Sequence, residues 1–277
     1  MVRKFRSKKK VLILFLPLLI GFVAYLLFVP DISRLKKENP QKTSFMKYRE
    51  KEWKRAGKKY RIQQQWVPLS RISPYLIKAV LIAEDDKFWS HEGFDYEAIR
   101  KALEKDVKAK KFKLGGSTIS QQLAKNLYLS PAKNPVRKIR EVIITWRMEK
   151  VLKKRRILEL YLNVAEWGAH GIFGIGTAAR HYYGKSPAEL NPEEAARLAA
   201  VLPNPRKYNP VGENRYVVHR ADLIYSILVR RGIVVPEFEE VTEGDETVPA
   251  IESPGMDSLR TPPNQIPSGD ELLPFHE

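Results

Sequence analysis

The longest uninterrupted apolar stretch of the chain lies near the N-terminus, at residues 11–29, where no side chain is charged. A helix of this length spans about 28 Å, close to the hydrocarbon thickness of a bilayer. Residues 1–10 carry six lysines and arginines, and basic flanks of this kind stay in the cytoplasm. The pattern predicts a transmembrane signal anchor followed by an exported chain. The alternative is a cleaved signal peptide, although no typical small-residue cleavage site follows the span.

Beyond residue 72 the apolar positions recur at helical spacing. Ser73 and Pro74 form a typical helix start, and the apolar side chains that follow lie on one face as far as Glu84. Residues 58–72 alternate only in part, which allows one short strand. We expect a mainly α-helical fold, and the further helices are predicted at residues 95–111, 114–129 (a glycine-rich turn leading into a helix), 134–168 (one helix or two), 191–202 and 215–232.

Composition divides the rest of the chain. Residues 30–58 are basic and polar with scattered prolines, which predicts a juxtamembrane segment before a helical domain at residues 59–232. Residues 233–277 hold eleven acidic residues, one basic residue and seven prolines, a composition typical of disorder.

The charge indicates an anionic partner. The whole chain carries +17, and because the tail is acidic, residues 1–232 carry +27. For an exported domain the expected partner is anionic lipid or lipid-linked phosphate rather than nucleic acid. The chain has no cysteine, which excludes a disulfide framework, a thiolate nucleophile and a zinc–thiolate site.

The segment AEDDKFWSHEGFD, residues 83–95, concentrates acids, aromatic rings and one histidine. Glu84 follows Val80 by four residues and Leu81 by three, so it continues the apolar stripe into the last turn of its helix. Desolvation and the negative end of the helix dipole should both raise the pKa of this carboxyl, as a general base requires. The alternative is a helix-end glutamate paired with a lysine. His91 is expected to be a structural hydrogen-bond partner.

A second cluster lies in GGSTISQQLAKN, residues 115–126. Glycines before a helix N-terminus expose backbone N–H groups that suit a phosphate, and Ser117 and Thr118 add hydroxyl groups. Gln122 and Lys125 are three residues apart and share one helix face. The spacing differs from that of a P-loop, and an ordinary capped loop is the alternative.

A third cluster consists of Arg137, Lys138 and Glu141, in which two cations lie on the same helix face as one acid. They should keep this carboxylate ionised. Two acids in opposite environments, Glu84 and Glu141, suggest divided catalytic roles. A surface ion-pair cluster is the alternative, and it would contribute less than about 1 kcal/mol.

In this order the clusters resemble the motifs of the family 51 glycosyltransferases, the peptidoglycan glycosyltransferases. The pattern E-D-x-x-F-x-x-H-x-G matches residues 84–93, G-G-S-T-x-x-Q-Q-x-x-K-N matches 115–126, and R-K-x-x-E matches 137–141. RRILELYLN at residues 155–163 and EEAARLAAVLPNP at 193–205 are similar to two further motifs. The likeness covers roughly residues 44–232 and is to the monofunctional members, which have no second catalytic domain.

The resemblance implies polymerisation of lipid II. The 4-hydroxyl of one lipid-linked disaccharide would attack the anomeric carbon of the growing chain, with inversion and release of undecaprenyl pyrophosphate. Glu84 would be the general base, and Glu141 would position the donor or its pyrophosphate, with a divalent cation, Mg²⁺ or Mn²⁺, as a further component. The side chains implied in substrate binding are Ser117, Thr118, Gln122, Lys125, Lys133, Arg137 and Lys138.

One of these positions departs from the pattern. Some members have arginine where this chain has Lys133. Lysine keeps the charge but loses the bidentate geometry with which arginine holds a phosphate.

The resemblance also implies a lysozyme-like helical lobe with a small membrane-associated jaw, preceded by one N-terminal transmembrane helix. The expected location is the bacterial inner membrane, crossed once, with the catalytic domain on the periplasmic side. Expected partners are lipid II, undecaprenyl-pyrophosphate-linked glycan, membrane lipid, and proteins of cell-wall synthesis or division. Two alternatives stay open: a lytic transglycosylase or hydrolase that cleaves peptidoglycan, and a non-catalytic membrane-anchored scaffold that binds anionic polymer.

Overall fold

A computed structural model describes residues 16–17, 19–21, 24–26, 28–109, 116–131 and 134–235. They form a mainly helical fold, which confirms the predicted class. Two-residue strands, β1 (Gln63–Gln64) and β2 (Ile172–Phe173), pair in parallel. The helices are α1 (Ser44–Arg55), α2 (Pro74–Glu84), α3 (Tyr96–Ala109), α4 (Ile119–Tyr128), α5 (Pro135–Val151), α6 (Lys154–Val164), α7 (Ile175–Tyr183), α8 (Pro192–Val201) and α9 (Arg215–Arg230).

Several predicted segments lie partly or wholly outside this range. Within the part of the chain that the structure describes, no helix is both long enough and apolar enough to cross a membrane. Residues 1–15, several positions between 18 and 27, and residues 236–277 are not described, so the basic segment, much of the predicted anchor and nearly all of the acidic tail fall there.

The predicted helices are present, with α4 beginning at Ile119, and polar side chains satisfy the first backbone N–H groups of several of them. Thr118 caps α4 reciprocally with Gln121, and Asn191 caps α8 reciprocally with Glu194. Such pairing satisfies N–H groups that have no partner inside a helix. Ser73 occupies the cap position of α2, but its hydroxyl donates to the Leu190 carbonyl at 2.8 Å instead of capping the helix.

Helix α4 lies at the centre of the fold. It packs against α1, α5 and α6, while α2 packs against α8 and α9. Its apolar side buries Ile119, Leu123 and Leu127 in the main hydrophobic core, and burial of such a side chain stabilises the fold by about 1.5–3 kcal/mol. Gln122 and Lys125 stay only partly buried on the same helix, so the core fixes the helix that presents them.

Helix α1 lies inside the segment predicted only as juxtamembrane. Thr43 caps it, and Met46 and Trp53 pack with Phe173 in a second, smaller hydrophobic cluster. The helix has few apolar residues among its lysines and arginines. Because its apolar stripe is so narrow, hydrophobic periodicity did not predict it.

Candidate active site

Glu84 is the last residue of α2, and its side chain is 11% exposed. Its Oε2 atom accepts a hydrogen bond of 2.8 Å from Nε2 of Gln122, and its Oε1 atom lies 3.7 Å from Nη2 of Arg220. Burial raises the pKa of Glu84, while Gln122, Arg220 and Lys125 oppose the rise. The direction predicted from the sequence is confirmed.

Tyr161 on α6 fixes the orientation of Gln122. Its hydroxyl donates to Oε1 of Gln122 at 3.2 Å, and burial raises the pKa of Tyr161 well above its usual value. A protonated hydroxyl facing the amide oxygen leaves the amide nitrogen to face Glu84. The uncharged side chains of Tyr161 and Gln122 therefore hold one oxygen of Glu84 through two successive hydrogen bonds, without adding charge to the site.

The raised pKa of Glu84 has a consequence for stability. The native state binds this proton more tightly than the unfolded chain does. The protonated Glu84 therefore contributes its full stabilisation of the folded state below the unfolded pKa, and this stabilisation is lost as the pH rises through the folded pKa. We expect Glu84→Gln to unfold at a higher temperature than the wild type at about pH 8, with the difference shrinking towards about pH 4. Thermal unfolding followed by circular dichroism measures both midpoints. If the difference in unfolding midpoint between Glu84→Gln and the wild type were the same at both pH values, the raised pKa of Glu84 would be contradicted.

Asp85, His91 and Gly93 connect the end of α2 to the start of α4. Asp85 accepts the backbone N–H of Ile119 through Oδ2 at 2.9 Å, and its Oδ1 lies 2.9 Å from Nε2 of His91. Since Gly93 N–H donates to Nδ1 of His91 at 3.0 Å, the proton of the neutral ring lies on Nε2, which donates to Asp85. His91 is a structural partner, as predicted.

Gly93 is needed in this turn. Its φ is +92°, and an added Cβ would lie 2.9 Å from Cγ of Glu149, so both the backbone angle and the space favour glycine. The Gly93 carbonyl accepts the hydroxyl of Thr118 at 2.7 Å.

The start of α4 differs from the predicted phosphate site. Thr118 is 3% exposed, and its hydroxyl donates to a backbone carbonyl and accepts the N–H of Gln121. With Ile119 N–H donated to Asp85, these first donors of the helix are already used. Thr118 was predicted to line the cleft, and the structure places its side chain in the interior. Ser117 stays partly exposed beside Lys138, whose Nζ lies 3.3 Å from the Ser117 hydroxyl, and Gly115 lies outside the described residues.

Glu141 on α5 is held by two cations. Its side chain is 3% exposed, Nη1 of Arg137 donates to its Oε2 at 2.6 Å, and Lys138 donates to its Oε1. The predicted three-residue cluster is therefore formed around a buried acid. Lys133 lies outside the described residues.

Lys125 is electrostatically coupled to both acids. Burial lowers the pKa of this lysine and the nearby Arg137 and Lys138 lower it further, whereas Glu141 and Glu84 both oppose the shift. An ammonium group within electrostatic reach of both carboxylates connects the two halves of the site. The structure thus brings together the sequence-predicted residues Glu84, Gln122, Lys125, Arg137, Lys138 and Glu141.

An open groove continues from Gln122 and Lys125 towards α1 and the segment after α8. On its far side Arg49 holds the buried Glu166, with Nη2 of the arginine 2.8 Å from Oε2 of the acid. Burial raises the pKa of Glu166, and Arg49 opposes the rise. The groove could therefore accept an extended molecule beyond the two acids.

Sequence reasoning missed Arg220 and Tyr161 as parts of the site. Arg220 follows the buried Val217 by three residues and precedes the buried Ile224 by four, so it is a charged side chain on an apolar helix face. A charged side chain on an apolar helix face was the signal that identified Glu84, and the sequence shows the same signal at Arg220.

The surroundings of Glu141 bear on the predicted divalent cation. Within the described residues, no group of three histidine or acidic side chains lies close enough together to bind a cation. Both oxygens of Glu141 are occupied by Arg137 and Lys138, so a divalent cation at this acid would share an oxygen with one of these donors and take its other ligands from phosphate oxygens and water.

Comparisons of the sequence with a family model and with known proteins point to the same family. The family model described as Transglycosylase matches residues 50–229. The chain is 54% identical over 171 residues to a biosynthetic peptidoglycan transglycosylase of Dechloromonas aromatica, covering 62% of this chain and 74% of that protein. It is 52% identical over 177 residues to the protein of the same name from Nitrosospira multiformis, covering 64% and 75%. For the Janthinobacterium protein of that name, identity is 46% over 208 residues, covering 75% and 90%.

Proposed function

The chain belongs to the transglycosylase family and is a peptidoglycan glycosyltransferase that polymerises glycan chains, and on this premise we propose its substrates and the roles of its residues. It transfers a lipid-linked growing chain to the 4-hydroxyl of lipid II, with inversion and release of undecaprenyl pyrophosphate. The observation that carries the proposal is the buried carboxylate of Glu84, held by Gln122, in one site with the cluster of Arg137, Lys138 and Glu141, with Lys125 in electrostatic reach of both acids.

Glu84 is the general base of this proposal. Its carboxylate accepts the proton of the acceptor hydroxyl while the hydroxyl oxygen bonds to the anomeric carbon. The bond between that carbon and the pyrophosphate oxygen breaks in the same displacement. A carboxylate with a raised pKa suits this task, because its basicity approaches that needed near neutral pH.

The leaving pyrophosphate is stabilised by Lys125, Arg137 and Lys138. Preorganised cations in a partly desolvated site are among the largest catalytic contributions. Glu141 fixes Arg137 and Lys138 through its two oxygens, and Ser117 and Lys133 supply further polar contacts to the donor. The predicted Mg²⁺ or Mn²⁺ stays a prediction, and no step here passes through it.

The location follows from the same premise. A lipid-tailed substrate favours a membrane-anchored enzyme whose catalytic domain faces the periplasm, with residues 11–29 as its anchor. The +27 charge of residues 1–232 favours contact with anionic headgroups and with pyrophosphate. We propose the lysozyme-like lobe and membrane-associated jaw on the same grounds, with cell-wall synthesis or division proteins as partners.

The test is incubation of the full chain, in detergent or vesicles, with lipid II in one reaction and with finished peptidoglycan in another. Lipid II should disappear as glycan chains of increasing length accumulate, and a muramidase should digest these chains. Soluble fragments released from finished peptidoglycan would instead favour the cleaving enzyme. Unchanged substrate in both reactions, despite tight binding, would favour the scaffold.

A further inference from the structure

The guanidinium of Arg220 lies beside Glu84 although the two residues belong to different helices. Nη2 of Arg220 donates to the Ala83 carbonyl at 3.0 Å and lies 3.7 Å from Oε1 of Glu84. The carbonyls in the last turn of a helix have no partner within that helix, and a cation is favourable there. Arg220 is therefore fixed against the end of α2 rather than free in solvent.

The two oxygens of Glu84 have different surroundings. Oε2 accepts the hydrogen bond from Gln122, whereas the distance from Oε1 to Arg220 is that of an ion pair without a hydrogen bond. Among the described residues, Arg220 forms an ion pair with no acid other than Glu84, and its buried Nε atom has no hydrogen-bond partner there. Oε1 is thus stabilised as an anion while its lone pairs stay available.

We infer that Arg220 is a positioning residue for the reaction: it holds a permanent positive charge beside Oε1 of Glu84, the oxygen that takes the proton of the acceptor hydroxyl. The inference rests on the proposed function, since it assigns an atom and a supporting charge to the proposed base. Without a nearby cation, a carboxyl this well buried would stay protonated and could accept no proton.

Other groups also act on Glu84 and must be counted. Lys125 and Gln122 face it from α4 and favour its charged form, and Asp85, the next residue in the chain, disfavours that form. Lys125 is shared with Glu141, so Arg220 is the cation whose ion pair belongs to Glu84 alone.

The experiment is the dependence of kcat/KM on pH for lipid II polymerisation by the full chain. In the wild type we expect the rate to fall at acid pH as Glu84 gains a proton. Arg220→Met removes the cation, so Glu84 should hold its proton up to a higher pH. We expect this acid limb to move upward by about one to three pH units, as for loss of a charge within 4–6 Å, and the rate to recover at high pH.

Three further variants separate charge from structure. Arg220→Gln can still donate to the Ala83 carbonyl but has no charge, so it should shift the acid limb of the pH profile upward as Arg220→Met does. If the methionine variant does not fold, the glutamine variant decides the outcome. Arg220→Lys keeps the charge and should leave the limb near its wild-type position. Arg230→Met changes an exposed arginine of the same helix and should change nothing.

The possible results have distinct meanings. An upward shift with Arg220→Met or Arg220→Gln that Arg220→Lys restores supports the inference. A rate that falls equally at every pH, or does not change, overturns it. Failure of the wild type to polymerise lipid II, or wild-type activity in Glu84→Gln, would instead overturn the proposed function.

Discussion

Glu84→Gln is expected to slow glycan polymerisation by about 10³-fold or more, which is within the range for loss of a general base. Glutamine keeps the size of the side chain and can still accept the hydrogen bond from Gln122, but it cannot take a proton from the acceptor hydroxyl. The measurement is the initial rate of lipid II consumption at saturating and subsaturating substrate. We expect kcat to fall much more than KM changes, because the lost interaction belongs to the transition state.

The matched control is Glu104→Gln, which neutralises an acid on α3 whose side chain is 61% exposed. It should polymerise lipid II at the wild-type rate, because exposed ion pairs contribute little. Circular dichroism should show that both variants are folded. If Glu84→Gln lost less than about tenfold while folded, Glu84 would not be the general base.

Lys125→Met is expected to lower kcat by about 10²–10³-fold, comparable to the loss of one donor that stabilises developing charge. The methionine is close in length and keeps the packing of α4, but the site loses the cation that is within electrostatic reach of both Glu84 and Glu141. Charge that develops on the leaving pyrophosphate would then face fewer cations and two acids. The measurement is single-turnover polymerisation with a labelled donor, which separates the chemical step from product release.

Lys78→Met provides the comparison, since Lys78 is exposed on the solvent side of α2. It should leave the single-turnover rate unchanged. Lys125→Arg should retain part of the activity, because it restores the charge without the same reach. Equal rates for Lys125→Met and the wild type would place the pyrophosphate elsewhere in the groove.

Local signals in the sequence predicted much of the site. Glu84 was found because a charged residue continued an apolar stripe to a helix end, and the structure buries it there. The i,i+3 and i,i+4 spacing of the Arg137, Lys138 and Glu141 cluster was likewise sufficient, because one helix fixes those contacts. The helix that begins after Asn191 followed from the same short-range rules.

Contacts between distant segments were not predictable in this way. Arg220 reaches Ala83 across 137 residues, and nothing in helical periodicity states which helix lies opposite. Thr118 was assigned to the cleft because its hydroxyl follows two glycines, yet the Gly93 carbonyl from another segment accepts that hydroxyl. Periodicity identifies a buried face, whereas tertiary packing selects its neighbour.

Gln122 and Lys125 project from a single helix, less than one turn apart. The spacing between the amide that holds Glu84 and the ammonium group of Lys125 is therefore set by the helix, with a rise of about 1.5 Å per residue, and not by a hinge or loop. Inserting one residue between them would rotate Lys125 by about 100° and take it out of the site.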